Sequence, residues 1–283
     1  MLRKATRENA ETHIDFAWEL AQDPARSGYP TYTDGIKTRA DFEASCRLGV
    51  TDPNREVLLY EEDGTTAGWI QFTFLEGDKY LQTEIFNISG SMAQALAEFT
   101  AYCERNFHGY TLYLGFPAEN TTAMGWLAEH GWTCLERSYN DVMFFDGYEP
   151  LPEEDRIQPV TKENFGEFRA LHAPIEGDMY WNSDRLEADL DNWAVYLYHR
   201  EGKPAGAIYY MDDEALVEVF GIDFAGNAFD ETIFRALLTR ALNACKAGGK
   251  KYMVFFNDAE SQKTVLECGF TCVGQYVLHI REI

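Results

Sequence analysis

Basic side chains are scarce: the 283 residues hold 24 Lys plus Arg against 47 Asp plus Glu, a formal net charge of −23. Nucleic-acid binding draws on clustered Lys and Arg, so this balance excludes a phosphate-backbone partner. The surplus acid solvates the surface and also favours cationic substrates such as amines. Long apolar runs are missing too. No stretch approaches the ~20 apolar residues of a membrane span. The opening Met1-Leu2-Arg3-Lys4-Ala5-Thr6-Arg7-Glu8 lacks the apolar core of an export signal. Six cysteines (46, 103, 134, 245, 268, 272) form no Cys-x-x-Cys pair. Most sit inside apolar patterns, as thiols of a reduced protein do, so a cytoplasmic location is expected. Asn87-Ile88-Ser89 and Asn120-Thr121-Thr122 are then accidental sequons, and Cys268-x-x-x-Cys272 reads as core. Histidines 13, 108, 130, 172, 199 and 279 show no His-Glu-x-x-His or comparable spacing, so no metal is expected. A Walker loop, a nucleophile elbow and a dinucleotide fingerprint are absent as well.

What the chain does have is a long internal repeat. Asn54-Val57-Leu59-Tyr60-Gly64-Ala67-Gly68-Ile70 returns 138 residues later as Asn192-Val195-Leu197-Tyr198-Gly202-Ala205-Gly206-Ile208. The same offset carries Glu129-Gly131-Thr133-Cys134 onto Glu267-Gly269-Thr271-Cys272. Two blocks at one offset mean a duplicated domain, since solenoid and propeller units repeat at about 20–50 residues. The segment Asp146 to Asp155 sets Pro150 and Pro152 among acids and reads as a connector. The expected division is residues 1–148, a linker at 149–156, and residues 157–283.

Each copy reads as one alternating pattern. A short strand precedes an amphipathic helix, with Ile14, Ala17, Trp18 and Ala21 on one face, and Phe165, Phe168 and Leu171-His172 in the second copy. An irregular aromatic stretch follows, longer in the first half. Strand, Asp63-Gly64 or Glu201-Gly202 turn, strand is then a hairpin signal. A fourth strand, matched as Glu84 to Ile88 with Glu218 to Ile222, leads through a Gly-containing loop into a long helix. That helix buries Met92, Ala95, Leu96 and Phe99, or Ile233, Phe234, Leu237 and Leu238. A fifth strand, a helix stopped by Gly131 or Gly269, and a last apolar strand pair complete the copy. The fold class is therefore α/β with a mixed sheet, twice over.

This order, with Asn120-x-x-Ala123 opening a helix that closes on Gly131-Trp132, resembles the GNAT N-acetyltransferase superfamily. Gly269-Phe270 ends the second copy alike, with Asp258 at the Asn place. The resemblance spans the chain as two tandem domains. It implies acetyl-CoA as co-substrate, bound where the fourth and fifth strands part, and an amine of a small molecule or peptide as acceptor. It also implies that Phe86, Asn87 and Ile88, the loop Gly90, Ser91, Met92 and Ala93, and Asn120 hold the cofactor in the first copy. A helix N-terminus supplies donors and positive potential to a pyrophosphate, which glycines let approach closely. Both copies depart from the family's Gln/Arg-x-x-Gly-x-Gly/Ala loop. The first puts Ile88, Ser91 and Ala93 at those places in a short loop; the second has one glycine, Gly226, and puts Asp230 and Glu231 where phosphate would lie.

The tyrosine that many members use as general acid is replaced by Leu127 and Val265. Glu84 and Glu218 remain as carboxylates able to deprotonate an ammonium through water. The aromatic clusters Tyr29-Pro30-Thr31-Tyr32 and Met179-Tyr180-Trp181 are placed for an amine pocket or for ordinary packing. Electrostatics at the long helix favours the first copy as cofactor site, with Glu84 as base. The alternative is a degenerate GNAT-fold binding or regulatory protein.

Overall fold

In the first copy β1 (Leu2–Lys4), α1 (Arg7–Glu11), α2 (Ile14–Ala21) and α3 (Arg39–Gly49) lead into the hairpin β2 (Arg55–Glu62) and β3 (Thr65–Leu75). Then come β4 (Tyr80–Ile88), α4 (Met92–Asn106), β5 (Thr111–Pro117), α5 (Thr121–Glu129) and β6 (Thr133–Phe144). The second copy follows the same course with two α-helices rather than three before its hairpin, among the described residues: β7 (Ile157–Pro159), α6 (Phe165–His172), α7 (Ser183–Ala188), β8 (Trp193–Arg200) and β9 (Lys203–Asp212). It closes with β10 (Leu216–Phe224), α8 (Glu231–Ala247), β11 (Tyr252–Asn257), α9 (Gln262–Glu267) and β12 (Thr271–Glu282). This computed structural model describes every residue except Asp178 and residues 213–215.

Local chemistry accounts for most boundaries. Asp63 and Gly64 (φ 50° and 77°) and Glu201 and Gly202 (φ 53° and 74°) give each hairpin the paired left-handed residues of a two-residue turn. Thr6 and Thr38 close capping boxes at α1 and α3, and Ser91 caps α4 by accepting from the Gln94 N–H. Gly131 and Gly269 follow α5 and α9 with positive φ, as the sequence implies.

The chain forms two compact units, one of Met1–Ser138 with Gly274–Ile283 and the other of Tyr139–Val273. The first unit orders its strands β1-β2-β3-β4-β5-β12 and the second β7-β8-β9-β10-β11-β6. Helices cover both faces of each sheet. In the first unit Phe86, Leu96 and Phe99 pack under α4, and Phe42, Leu59 and Trp69 pack on the opposite face. The second unit repeats this with Leu237, Leu238 and Phe255 on one side and Phe168, Leu197 and Tyr209 on the other. Each such side chain, fully buried, contributes about 1.5–3 kcal/mol.

Two features differ from the sequence reading. The expected closing strand pair is one long strand in each copy, and it ends in the other unit. Tyr276–Glu282 of β12 pairs antiparallel with β5, whereas Tyr139–Phe144 of β6 lines up antiparallel on β11. Residues 139–148 therefore belong to the second unit and 274–283 to the first, across the expected halves. The proposed linker is also fastened down. Asn243 on α8 accepts from Tyr148 Oη (2.8 Å) and the Leu151 N–H (3.1 Å), and donates to the Leu151 carbonyl (2.7 Å).

The fourth strand carries a second correction. Gly68 pairs with Ile88 and Gly206 with Phe224, and each strand has one extra residue further back, at Glu84 and Phe220. These bulges make Glu84 the counterpart of Phe220, and Gln82 that of Glu218, two residues off the expected match. A chain ending at Val273 should lose the strand that β5 needs. Limited proteolysis of that truncated protein is expected to cut first within residues 1–138; first cuts within 139–273 would contradict the exchange.

Candidate functional site

Strands β4 and β5 run parallel and pair only over Tyr80–Gln82 and Thr111–Tyr113. Past the bulge at Glu84 their backbone groups need other partners. In the first unit the chain itself provides them. Residues 26–29 enter the gap: the Ile88 N–H on β4 donates to the Arg26 carbonyl and the Tyr29 N–H donates to the Gly115 carbonyl on β5, both at 2.9 Å. Asn120 Nδ2 donates to the Ser27 carbonyl at 3.0 Å. Gly28 is required at the crossing, because an added Cβ would stand 2.9 Å from Phe86 Cβ and 3.2 Å from Phe86 N. Tyr29 packs on Tyr276 with ring centres 4.6 Å apart. The insert comes from the longer irregular stretch, residues 22–38 between α2 and α3, against 173–182 between α6 and α7.

The residues expected to hold a cofactor in this unit are thus engaged with protein. Phe86 and Met92 are buried in the core beneath α4. Asn87 donates to the Ala17 carbonyl at 3.0 Å. Asn120 caps α5 through the Ala123 N–H at 3.1 Å. At the loop, the Glu62 carboxylate accepts from the Ser91 N–H at 3.2 Å and fills the space beside Gly90 where a Cβ would stand. Ala93 follows Met92 within the first turn of α4. A carboxylate already sits at this helix N-terminus, where a pyrophosphate would compete with it. Glu84 is clamped by Arg55 Nε (2.8 and 3.0 Å) and Gln71 Nε2 (2.8 Å), and Arg55 also pairs with Asp52. Both carboxylate oxygens of Glu84 are thus engaged by donors of the protein itself.

The second unit differs at the strand gap, although a carboxylate, Asp230, caps its long helix as well. Strands β10 and β11 pair over Leu216–Val219 and Tyr252–Phe255, then part at the Phe220 bulge. Beyond it Phe220 is 36% exposed, and Gly221, Ile222 and Phe224 are half-buried, whereas Ile85 to Ile88 are all buried in the first unit. Residues after α6 fold back on their own helix, with the Ile175 and Glu176 N–H groups donating to the His172 carbonyl. Asp223 and Phe224, expected in the loop, remain in β10.

At α8 the acids foreseen as hostile to phosphate are neutralised. Asp230 caps the Thr232 and Ile233 N–H groups at 3.1 Å and pairs with Arg200 at 2.8 Å, while Glu231 pairs with Arg235 at 2.7 Å. The Arg200 contact holds the Asp230 carboxyl below its ordinary range. Arg200 lies 138 residues after Glu62, at the same hairpin end, so the side chain there changes sign between the units, while Asp230 keeps a carboxylate on the α8 N-terminus. That reversal was readable from the repeat offset. The insertion of residues 26–29 was not, because Ser27-Gly28 carries no periodic pattern.

On the face of the sheet away from α8, Trp181, Trp193 and Phe220 form a row with ring centres 4.9 and 4.8 Å apart. Glu218, half-buried, alternates with Val217 and Val219, which pack under α8, and so belongs to the face of that row. Asp258 caps the approach to α9 through the Ser261 N–H at 2.9 Å. Leu127 and Val265 are core residues.

No protein-family model and no curated protein matches the chain. Solved structures do. A GCN5-related N-acetyltransferase from Sphaerobacter thermophilus superposes with TM-score 0.68 at 15% identity, over 100% of this chain and 95% of that one. A tandem GNAT protein from the clavulanic acid biosynthesis pathway gives 0.57 at 12%, over 100% and 98%. An acetyltransferase so named from Pyrococcus horikoshii gives 0.55 at 9%, over 100% and 89%. The fold is that of the GNAT N-acetyltransferases. This chain carries it twice in tandem.

Replacing Gly28 by Val should push Cβ into β4 and destabilise the first unit by about 1–3 kcal/mol, the usual cost of overpacking. Gly77→Ala, with nothing near the added atom, should stay within about 0.5 kcal/mol. Urea unfolding of both variants checks the contrast; equal midpoints would show that residues 26–29 are not wedged against β4.

Proposed function

We propose that the chain is an acyl-CoA-dependent N-acetyltransferase that transfers the acetyl group of acetyl-CoA to a small amine or peptide amine, with the second unit as its one competent site. The observation that carries this reading is the contrast between the two strand gaps. The gap at β4 and β5 is filled by residues 26–29, while the residues that border the gap at β10 and β11 keep exposed surface. Arg200 in place of Glu62 supports the same choice, since phosphate oxygens bind guanidinium groups well. No helix among the described residues is long and apolar enough to cross a membrane. All six cysteines are free thiols, in keeping with a cytoplasmic enzyme.

In the reaction an unprotonated amine attacks the thioester carbonyl. The C–N bond forms, the C–S bond breaks, and the thiolate leaves. Glu218 is the group we assign to take the ammonium proton through water. Val265 offers no proton to the thiolate, which then takes one from solvent. Most of the rate gain falls to orientation and to backbone donors at the strand gap. The first unit fits the other reading, a degenerate GNAT-fold binding or regulatory module, because its own chain satisfies the groups a cofactor would use.

Calorimetric titration of acetyl-CoA into the full chain should give one site. Arg200→Glu should weaken it roughly five- to tenfold, the scale of one lost charge-assisted contact, and Glu62→Gln should leave it unchanged. Two equal sites, or a loss with Glu62→Gln alone, would overturn the assignment to the second unit.

A further inference from the structure

His172 is fully buried, yet both ring nitrogens have partners. Nδ1 lies 2.7 Å from Asp223 Oδ2 on β10, and Nε2 lies 3.3 Å from the Trp181 carbonyl. A carbonyl oxygen only accepts, so Nε2 carries a hydrogen. The contact between Nδ1 and the carboxyl then needs a second proton, on nitrogen or on oxygen. Phe168 stacks on the ring at 5.1 Å and Tyr209 meets its edge at 5.0 Å, which keeps water away.

This proton joins three pieces of the second unit: the end of α6, strand β10 beside its gap, and the segment bearing Tyr180 and Trp181. Trp181 in turn packs on Trp193, and Trp193 on Phe220 at the bulge. The matching junction in the first unit is Asn87 to the Ala17 carbonyl, an amide with nothing to titrate. Asn87 and Asp223 hold the same register, opposite Trp69 and Ala207.

We propose that His172 is a positioning residue of the second unit, and that the proton it shares with Asp223 holds the Tyr180–Trp181 segment in place as the acceptor-amine wall, releasing it at alkaline pH. The proposal rests on the acetyltransferase reading for the word acceptor; the release itself does not. With one proton left, the ring can serve Asp223 or Trp181, but not both. A charge-assisted bond to carboxylate outranks one to a neutral carbonyl, so Trp181 is let go.

Burial alone would lower the His172 pKa, but the Asp223 carboxylate outweighs it and holds the group above its ordinary 6.5. The contribution is therefore complete below pH 6.5 and is lost as pH rises through the higher folded value. Among the described residues, the titratable groups around the ring are Asp223 on β10, Tyr209 on β9 and Glu176 after α6. Glu176 Oε2 stands 3.9 Å from Nε2 and accepts from the Ser183 N–H and hydroxyl. Arg169 of α6 pairs with Asp184 and Glu187 of α7, not with the ring.

Two measurements on the full chain test this. Hydrogen exchange of residues 173–182, corrected for the intrinsic rate, should speed up roughly five- to tenfold between pH 7 and pH 9.5, the scale of one lost net hydrogen bond. Asp223→Asn, which needs no second proton, should abolish that pH step, and His172→Asn should give fast exchange at both pH values. The acceptor KM of the parent protein, divided by that of Asp223→Asn at each pH, should rise by a similar factor while the kcat ratio stays flat. Exchange that is pH-independent in the parent, or a pH step kept by Asp223→Asn, overturns the proposal. An exchange step without acetyl transfer to any amine leaves the release standing and sinks the acetyltransferase reading instead. An exchange step with a flat KM ratio removes the acceptor wall and with it the proposal.

Discussion

Two parallel strands that stop pairing leave backbone donors and acceptors facing a gap, and buried groups of that kind must find partners. The architecture of both units depends on how this demand is met. In the first unit a loop meets it from within: the Arg26 carbonyl and Tyr29 N–H bond to Ile88 and Gly115 as a neighbouring strand would. In the second unit the same edge lies beside half-exposed side chains, and the shorter connection after α6 turns back on itself. One duplicated sheet has thus been completed by its own chain in one copy, while in the other the strand past the bulge keeps half-exposed side chains.

Three differences between the copies bear on this edge. Glu62 becomes Arg200 at the helix entrance, the bulge residue Glu84 becomes Phe220, and Asn87 becomes Asp223 with a histidine partner. Elsewhere the copies hold to the same pattern of hairpin, core helix and helix stop. Changes of charge and polarity at one edge, over a shared sheet, separate a site's chemistry from the fold that carries it.

Much of this was legible because it is local. Hairpin turns need left-handed residues, and Gly64 and Gly202 announced them. Helix faces follow a 3.6-residue period, so Phe99 and Leu238 could be placed in the core beforehand. The bulges were not legible, since one extra residue leaves the apolar alternation plausible in either register, and Glu84 was matched with the wrong carboxylate. Nor does an apolar strand name its partner, so β6 and β12 read as closing their own copies. The candidate site residues of the first copy could be named beforehand, but not the protein partners that engage them. Whether a gap is empty depends on a loop whose course no periodicity records.

The exchanged strands also impose an order on synthesis. The first unit's own segment is complete once Ser138 has emerged, but β5 waits for Tyr276 to Glu282. At about 5–20 residues per second that wait is on the order of ten seconds. For that time the nascent protein presents an unpaired apolar edge bearing Leu112, Leu114 and Phe116, the kind of edge that recruits foreign strands. Chaperone demand during translation, rather than the stability of the finished molecule, is where this topology exacts its toll.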